Sequence, residues 1–446
     1  MATPTTNTVP TTYYWDAYPK IGNAKALLHG AKWGGDLGQG VTLTWSLARP
    51  GISKYTYTKR DVQAFDAAEV VAIKKALKKW SDVAGIKFVQ VTETSTTVGE
   101  LRFTKSKSVS TASAFLPSGD VSSGDVWVNP NISIVGDSKG YGPKAIMHEI
   151  GHALGLKHPF DYGGGGKSTM KYDSLLYSVM AYNAVGSTVR NKPDFYPTTP
   201  MYNDLVAIQT LYGRNKKHNA GNTTYEFKEG KKYWQAIDDA GGTDTIKYSG
   251  TKNVTIDLRE GKFSTLSAPI AWAMDKYLTA TVTIGPKSII ERAIGASGKD
   301  KLIGNDTRNS LYGGLGNDTM DGGKGDDRLY GQGGSDILTG GYGKDAFVFN
   351  TDPSNGDLDR ITDFSVKDDI LWLSRSVFTA LPNKGALASS FFKIGSAATD
   401  SNDFIVYDKA AGLLSYDVDG AGPVEAFAFA QLKAGLALTY KNFFVI

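Results

Sequence analysis

Six nine-residue units run without a gap from Gly295 to Val348. Each opens on a glycine: Gly295, Gly304, Gly313, Gly322, Gly331 and Gly340. The fourth position is Gly298, Gly316, Gly325, Gly334 or Gly343, except in the second unit, which has Thr307. The sixth position is Asp300, Asn309, Asp318, Asp327, Asp336 and Asp345. The eighth is always apolar: Leu302, Leu311, Met320, Leu329, Leu338 and Phe347. A unit this short cannot bury its own apolar residue. It does so only by stacking on copies of itself, which restricts the segment to a solenoid with its turns in register.

The polar positions of the repeat have their own logic. Glycine permits tight turns whose carbonyls can face an ion, and aspartate supplies a hard oxygen suited to Ca²⁺. The pattern fits the G-G-x-G-x-D-x-U-x repeat of parallel β-rolls. The first and fourth glycines and the sixth-position aspartates named above are therefore candidate ligands for several structural calcium ions. In the second unit Asp306 is the expected substitute, and calcium is expected to bind most weakly there. A degenerate unit upstream carries Asp239 and Asp244.

The chain has 446 residues, enough for two or three domains. It has no cysteine, which excludes disulfides, thiolate metal sites and cysteine nucleophiles. A formal charge of +4 is too small to argue for a nucleic-acid partner, and none is expected; no apolar run is long enough to span a bilayer. The N-terminus lacks the basic start and apolar stretch of a Sec-type signal. Residues 1–16 are rich in Thr and Pro and read as a leader.

Between the leader and about residue 215 the pattern is mixed. Val41 to Trp45 alternates like a strand. Val70, Val71, Ile73, Leu77 and Trp80 recur at helical spacing. Further strands are expected at 86–91, 100–103, 111–116 and 124–129. A second helix is expected from about Pro143 to Leu154, and a third at about 203–212.

The second helix carries His148-Glu149-Ile150-Gly151-His152-Ala153-Leu154-Gly155-Leu156-Lys157-His158. This matches H-E-x-x-H-x-x-G-x-x-H. On a helix His148 and His152 share a face, and Gly155 can end the helix so that His158 returns to the same ion. Three imidazoles leave one position open for water, which is the arrangement of a catalytic zinc. Glu149 is the candidate general base.

The eleven-residue pattern resembles the metzincin clan of zinc proteases. Ser178-Val179-Met180-Ala181-Tyr182 resembles the clan's methionine turn, with Met180 beneath the metal. Pro159 after the third histidine, and Tyr182 two residues after Met180, resemble the serralysins, secreted proteases of Gram-negative bacteria. The resemblance implies an α+β chain: a metzincin-type α/β protease domain at 17–215, followed by an all-β parallel β-roll (RTX) domain at 216–446. It implies one catalytic Zn²⁺, with Tyr182 as a further zinc ligand that swings away to stabilise the oxyanion. The segment carrying Asp359 and Asp369 resembles a family segment that adds further calcium ligands. Ser113, Ala114 and Phe115 become the edge strand along which an extended peptide lies.

The implied activity is broad-specificity endopeptidase action on protein and peptide substrates. The resemblance also implies a monomer, removal of the leader, and export by type I secretion machinery through an uncleaved C-terminal signal. It admits a proteinaceous inhibitor as a further partner. Asn442 stands where the family's tail commonly has an acid. The rival reading is a calcium-dependent surface or adhesion protein with a vestigial protease lobe. The intact ligand set and Glu149 favour the enzyme.

Overall fold

The computed structural model describes residues 9–14, 20–50, 61–136, 140–161, 166–167, 172–185 and 192–446. Of the expected leader, residues 1–8 and 15–16 lie outside these. The chain forms two compact units. The first comprises Met1–Ala220, Lys232–Ala240 and Pro269–Ser288. The second comprises Gly221–Lys231, Gly241–Ala268 and Ile289–Ile446. Most regular structure is β, and the three α-helices among the described residues all lie in the first unit.

The first unit holds a five-stranded sheet. Its strands are β1 (Val41–Leu47), β2 (Ile86–Gln90), β3 (Leu101–Lys105), β4 (Ala112–Ala114) and β5 (Asp125–Val128). The order is β2-β1-β3-β5-β4. All neighbours are parallel except β4, which runs antiparallel to β5 with Ser113 opposite Trp127. β4 is therefore an edge strand, with one row of backbone groups unpaired by the sheet.

Helix α1 spans Ala67–Val83. Asp66 accepts from Glu69 N–H and Glu69 Oε2 accepts from Asp66 N–H, each at 2.8 Å. Such a capping box contributes about 1 kcal/mol. The helix buries Ile73, Leu77 and Trp80, whereas Val71 lies off that stripe and is exposed. Helix α2 spans Tyr141–Ala153 and starts at Gly140, whose φ of 79° suits glycine. It thus begins two residues before Pro143. Trp80 Nε1 donates to the Met147 carbonyl at 3.0 Å, which ties α1 to α2. Helix α3 spans Tyr202–Tyr212.

The second unit is built on two parallel ladders, and the chain alternates between them. One ladder carries Arg292–Ile294, Ser310–Leu315, Arg328–Gly333, Ala346–Phe349 and Ile370–Leu373. The other carries Lys301–Ile303, Thr319–Asp321, Ile337–Thr339 and Asp359–Ile361. In the first, Leu311, Leu329, Phe347 and Leu371 stand in register; in the second, Leu302, Met320, Leu338 and Ile361 do. All eight are buried. Eighteen residues, two repeat units, separate rungs of one ladder within the repeat. The C-terminal strand Phe443–Val445 pairs with Ile370–Leu373 and closes that edge. Among the described residues no helix is long and apolar enough to cross a membrane.

Candidate metal centres

Helix α2 places His148 and His152 one turn apart, and Gly155 takes the chain out of the helix at φ 103°. A Cβ on Gly155 would lie 2.5 Å from the Ala31 carbonyl oxygen, so both the turn and the packing require glycine there. His158 then returns to the same point. The three Nε2 atoms stand 3.1 Å (His148–His152), 3.1 Å (His152–His158) and 3.3 Å (His148–His158) apart. Ligands of one tetrahedral zinc at about 2.0–2.1 Å are separated by about 3.3 Å, so the cluster fits such an ion.

Each Nδ1 has its own acceptor. His148 Nδ1 meets the Val179 carbonyl at 2.8 Å, His152 Nδ1 the Leu156 carbonyl at 2.7 Å, and His158 Nδ1 Asp161 Oδ2 at 2.8 Å. An acceptor at Nδ1 places the ring proton there and leaves the Nε2 lone pair for a metal. Burial lowers His148 well below its ordinary value and lowers His152 to about 3. It lowers His158 as well, against the pull of Asp161. All three rings are thus held neutral, the form that ligates.

Glu149 follows His148 on α2 and is buried, which raises its carboxyl to about 7 against the influence of Lys144. Lys144 is itself buried and brought down to about 8 by that burial. Beneath the helix, Met180 is fully buried, and a Cβ on Gly151 would lie 2.6 Å from its Sδ. The turn around Met180 is pinned by Asp204 of α3. That carboxylate accepts from Ser178 Oγ (2.6 Å), Val179 N–H (2.7 Å) and Met201 N–H (2.8 Å). Tyr182 Oη is 2.8 Å from His158 Nε2. Its ring stacks over His148, with centroids 5.6 Å apart. Phe160 stacks on His158 at 4.7 Å and 8° and touches Tyr182 at 5.0 Å.

The residues expected at the zinc site are therefore brought together: His148, His152, His158 and Tyr182 directly, Glu149 on the same helix, and Met180 below. Ser113 and Ala114 lie in edge strand β4. Phe115 lies just past its end and is exposed. Sequence reasoning missed Lys144, Gly151, Phe160, Asp161 and Asp204. Only Gly151 and Asp161 carried a signal: a glycine inside a helix and an acid three residues after a ligand.

In the second unit the sixth-position residues form two columns. Asp300 N–H donates to Asp318 Oδ1, Asp318 N–H to Asp336 Oδ1, and Asp336 N–H to Asp359 Oδ1, at 2.7–3.0 Å. Asn309, Asp327, Asp345 and Asp369 repeat the arrangement at 2.7–3.0 Å. Asp359 and Asp369 thus complete the columns. The Oδ2 atoms of Asp318, Asp327, Asp336 and Asp345 are buried without a hydrogen-bond partner among the described residues. A Cβ on Gly313, Gly322, Gly331 or Gly340 would lie 2.1–2.5 Å from these oxygens. Buried, unpartnered carboxylate oxygens beside side-chain-free turns fit a hard dication. Burial raises Asp318 and Asp327 to about 8 and Asp345 to about 6, each also pushed up by neighbouring aspartates.

The glycines at the fourth position divide. Gly316, Gly325, Gly334 and Gly343 all take positive φ, whereas Gly298 does not. Gly295 and Gly304 pack against Asp300 and Asn309 as the other first-position glycines pack against their aspartates. Asp306 corrects an expectation. Its carboxylate is exposed and paired with Lys324 Nζ at 2.6 Å, outside both columns. Instead the second turn is closed by Asn305, whose Oδ1 accepts from Thr307 N–H and Oγ1. Upstream, Asp244 Oδ1 accepts from Thr223 N–H at 2.7 Å. Asp239 is buried in the first unit, with its N–H on Ser288 Oγ at 3.0 Å.

Comparison with known proteins yields one matching family, described as Peptidase M10 serralysin C terminal, over residues 203–381. That match begins after the histidine cluster. Serralysin of Photorhabdus laumondii is 34% identical over 327 residues, 66% of this chain and 65% of the relative. Serralysin A of Dickeya chrysanthemi is 37% identical over 54% of this chain and 53% of the relative. Metallopeptidase AprA of Pseudomonas marginalis is 33% identical over 55% and 56%. The matches thus span about half to two thirds of the length of these relatives.

Proposed function

This chain belongs to the serralysin family, and from that membership we propose that it is a secreted zinc endopeptidase of broad specificity, stabilised by calcium. The observation that carries the reading is the convergence of three Nε2 atoms within 3.1–3.3 Å of one another, each with its Nδ1 on an acceptor.

His148, His152 and His158 would hold the zinc, with Tyr182 in reach of the same point. Bound there, zinc supplies a Lewis acid for the scissile carbonyl and a water of lowered pKa. Glu149, raised to about 7, is matched to taking a proton from that water and returning it to the leaving amine near neutral pH. The Tyr182 hydroxyl donates to the carbonyl oxygen as negative charge develops on it. An extended peptide adds to the open side of β4, at Ser113 to Phe115. Main-chain bonding of that kind tolerates many side chains and so favours broad specificity.

We assign catalysis to residues 17–215 and the calcium-dependent scaffold to 216–446, with the two aspartate columns holding several ions. At low calcium the columns repel themselves, and at millimolar calcium they fold. This fits folding after export by a type I route. In this reading the molecule is a monomer that meets protein substrates and the secretion machinery.

The test is casein hydrolysis with zinc and calcium present, comparing the parent with Glu149→Ala before and after chelation. Cleavage by the parent, and silence of a variant that still binds zinc, is the expected result. Equal inactivity of two folded, metal-loaded proteins would end the reading.

A further inference from the structure

Lys144 has no part in the mechanism above, yet it lies one turn before His148 on α2 and is buried. Its Nζ is 3.3 Å from the Ala181 carbonyl oxygen, 3.4 Å from His148 Nδ1 and 6.0 Å from the centre of the Tyr182 ring. His148 Nδ1 already faces the Val179 carbonyl at 2.8 Å, so that nitrogen carries the ring proton. It has no lone pair to offer an ammonium group. The 3.4 Å approach is therefore donor against donor. The bond that holds Nζ is the one to Ala181, the residue before Tyr182. The carboxylates that influence it are Glu149 and Asp204. Asp204 is already engaged by Ser178, Val179 and Met201.

We propose, on the reading of the histidine cluster as a zinc site, that Lys144 is a positioning residue that anchors the turn before Tyr182 and, through its charge, lowers the cluster's affinity for zinc. A buried cation beside one ligand opposes the arrival of a dication, because little solvent screens it. A neutral residue at 144 removes that repulsion. It also leaves Glu149 and Asp204 less compensated, which attracts the dication further. A residue whose role was only to pack or to support His148 would act in the opposite direction, since losing such support weakens binding.

The experiment measures zinc affinity of the calcium-loaded full chain by competition with a chromophoric zinc chelator, zinc being the only metal varied. The proteins are the parent, Lys144→Gln, Lys144→Met and Lys144→Arg, each checked for folding by circular dichroism. The neutral variants are expected to bind zinc about tenfold more tightly, on the order of one partly screened charge–charge repulsion. Lys144→Arg, which keeps the charge, is expected to stay within about twofold of the parent. Unchanged or weaker binding in a folded neutral variant overturns the proposal. So does loss of folding in both neutral variants while Lys144→Arg folds, since Lys144 would then be a structural element only. If only Lys144→Met fails to fold, Lys144→Gln decides. A parent that takes up no zinc would sink the zinc reading itself.

Discussion

Gly151 and Met180 are packed so closely that a single methyl group on Gly151 would reach within 2.6 Å of the Met180 sulfur. The residues lie 29 positions apart and join the metal-bearing helix to the turn beneath it. The indole of Trp80 closes the same space at 3.1 Å. Gly151→Ala must therefore push the helix off the turn. Overpacking of this kind costs about 1–3 kcal/mol. Urea unfolding should show that loss in the first unit, with weaker zinc binding alongside. Unchanged stability would mean that the turn yields, and that Met180 does not set the position of the helix.

Asp161 holds the proton side of His158 at 2.8 Å. Asp161→Ala frees the ring to rotate and to change tautomer. Zinc affinity is expected to fall about 10- to 100-fold, as for other partners of metal-bound histidines. Chelator competition measures it, and a fall of less than threefold would refute the role.

Tyr182→Phe removes the hydroxyl that stands 2.8 Å from His158 Nε2 and keeps the ring that stacks on His148. Zinc content should be unchanged while kcat drops about 10²- to 10³-fold, the usual effect of losing one oxyanion donor. A variant with parental kcat would reduce Tyr182 to a packing residue.

Calcium and pH act together on the second unit. Burial raises Asp318 and Asp327 from an ordinary 3.8 to about 8. The folded roll then binds more protons than the unfolded chain between those values. Calcium-free stability is accordingly highest below about pH 4 and falls as pH rises toward 8. Calcium reverses the trend, because its ligands must be ionised. Thermal unfolding in a calcium chelator at pH 5 and pH 8, repeated with calcium in excess, should show opposite slopes. Parallel slopes would argue against carboxylate-held ions.

The two kinds of aspartate in the repeat should separate in a calcium count. Asp306→Asn alters an exposed pair with Lys324 and should leave bound calcium unchanged. Asp327→Asn removes a buried oxygen that has no hydrogen-bond partner among the described residues and should lower the count. Equal losses would return Asp306 to the ligand set.

The sequence by itself determined whatever depends on a local period. Histidines four apart share a helix face whatever surrounds them, and a nine-residue period stacks its eighth residues at any register of two units. Hence the triad, Glu149 and the apolar columns from Leu302 to Phe347 were legible, as were Asp359 and Asp369 from their resemblance. Only the tertiary structure decided which residues meet across distance. Lys144 reads as an ordinary lysine in the first turn of a helix until the Ala181 carbonyl accepts from it. Asp204 is an ordinary first-turn acid until the Met180 turn docks on its carboxylate. Phe160 is a loop aromatic until His158 and Tyr182 present their rings. The direction of a side chain such as Asp306 belongs to the same class: a carboxylate two residues into a turn can face an ion or a lysine, and the choice fell to Lys324, eighteen residues further along the chain.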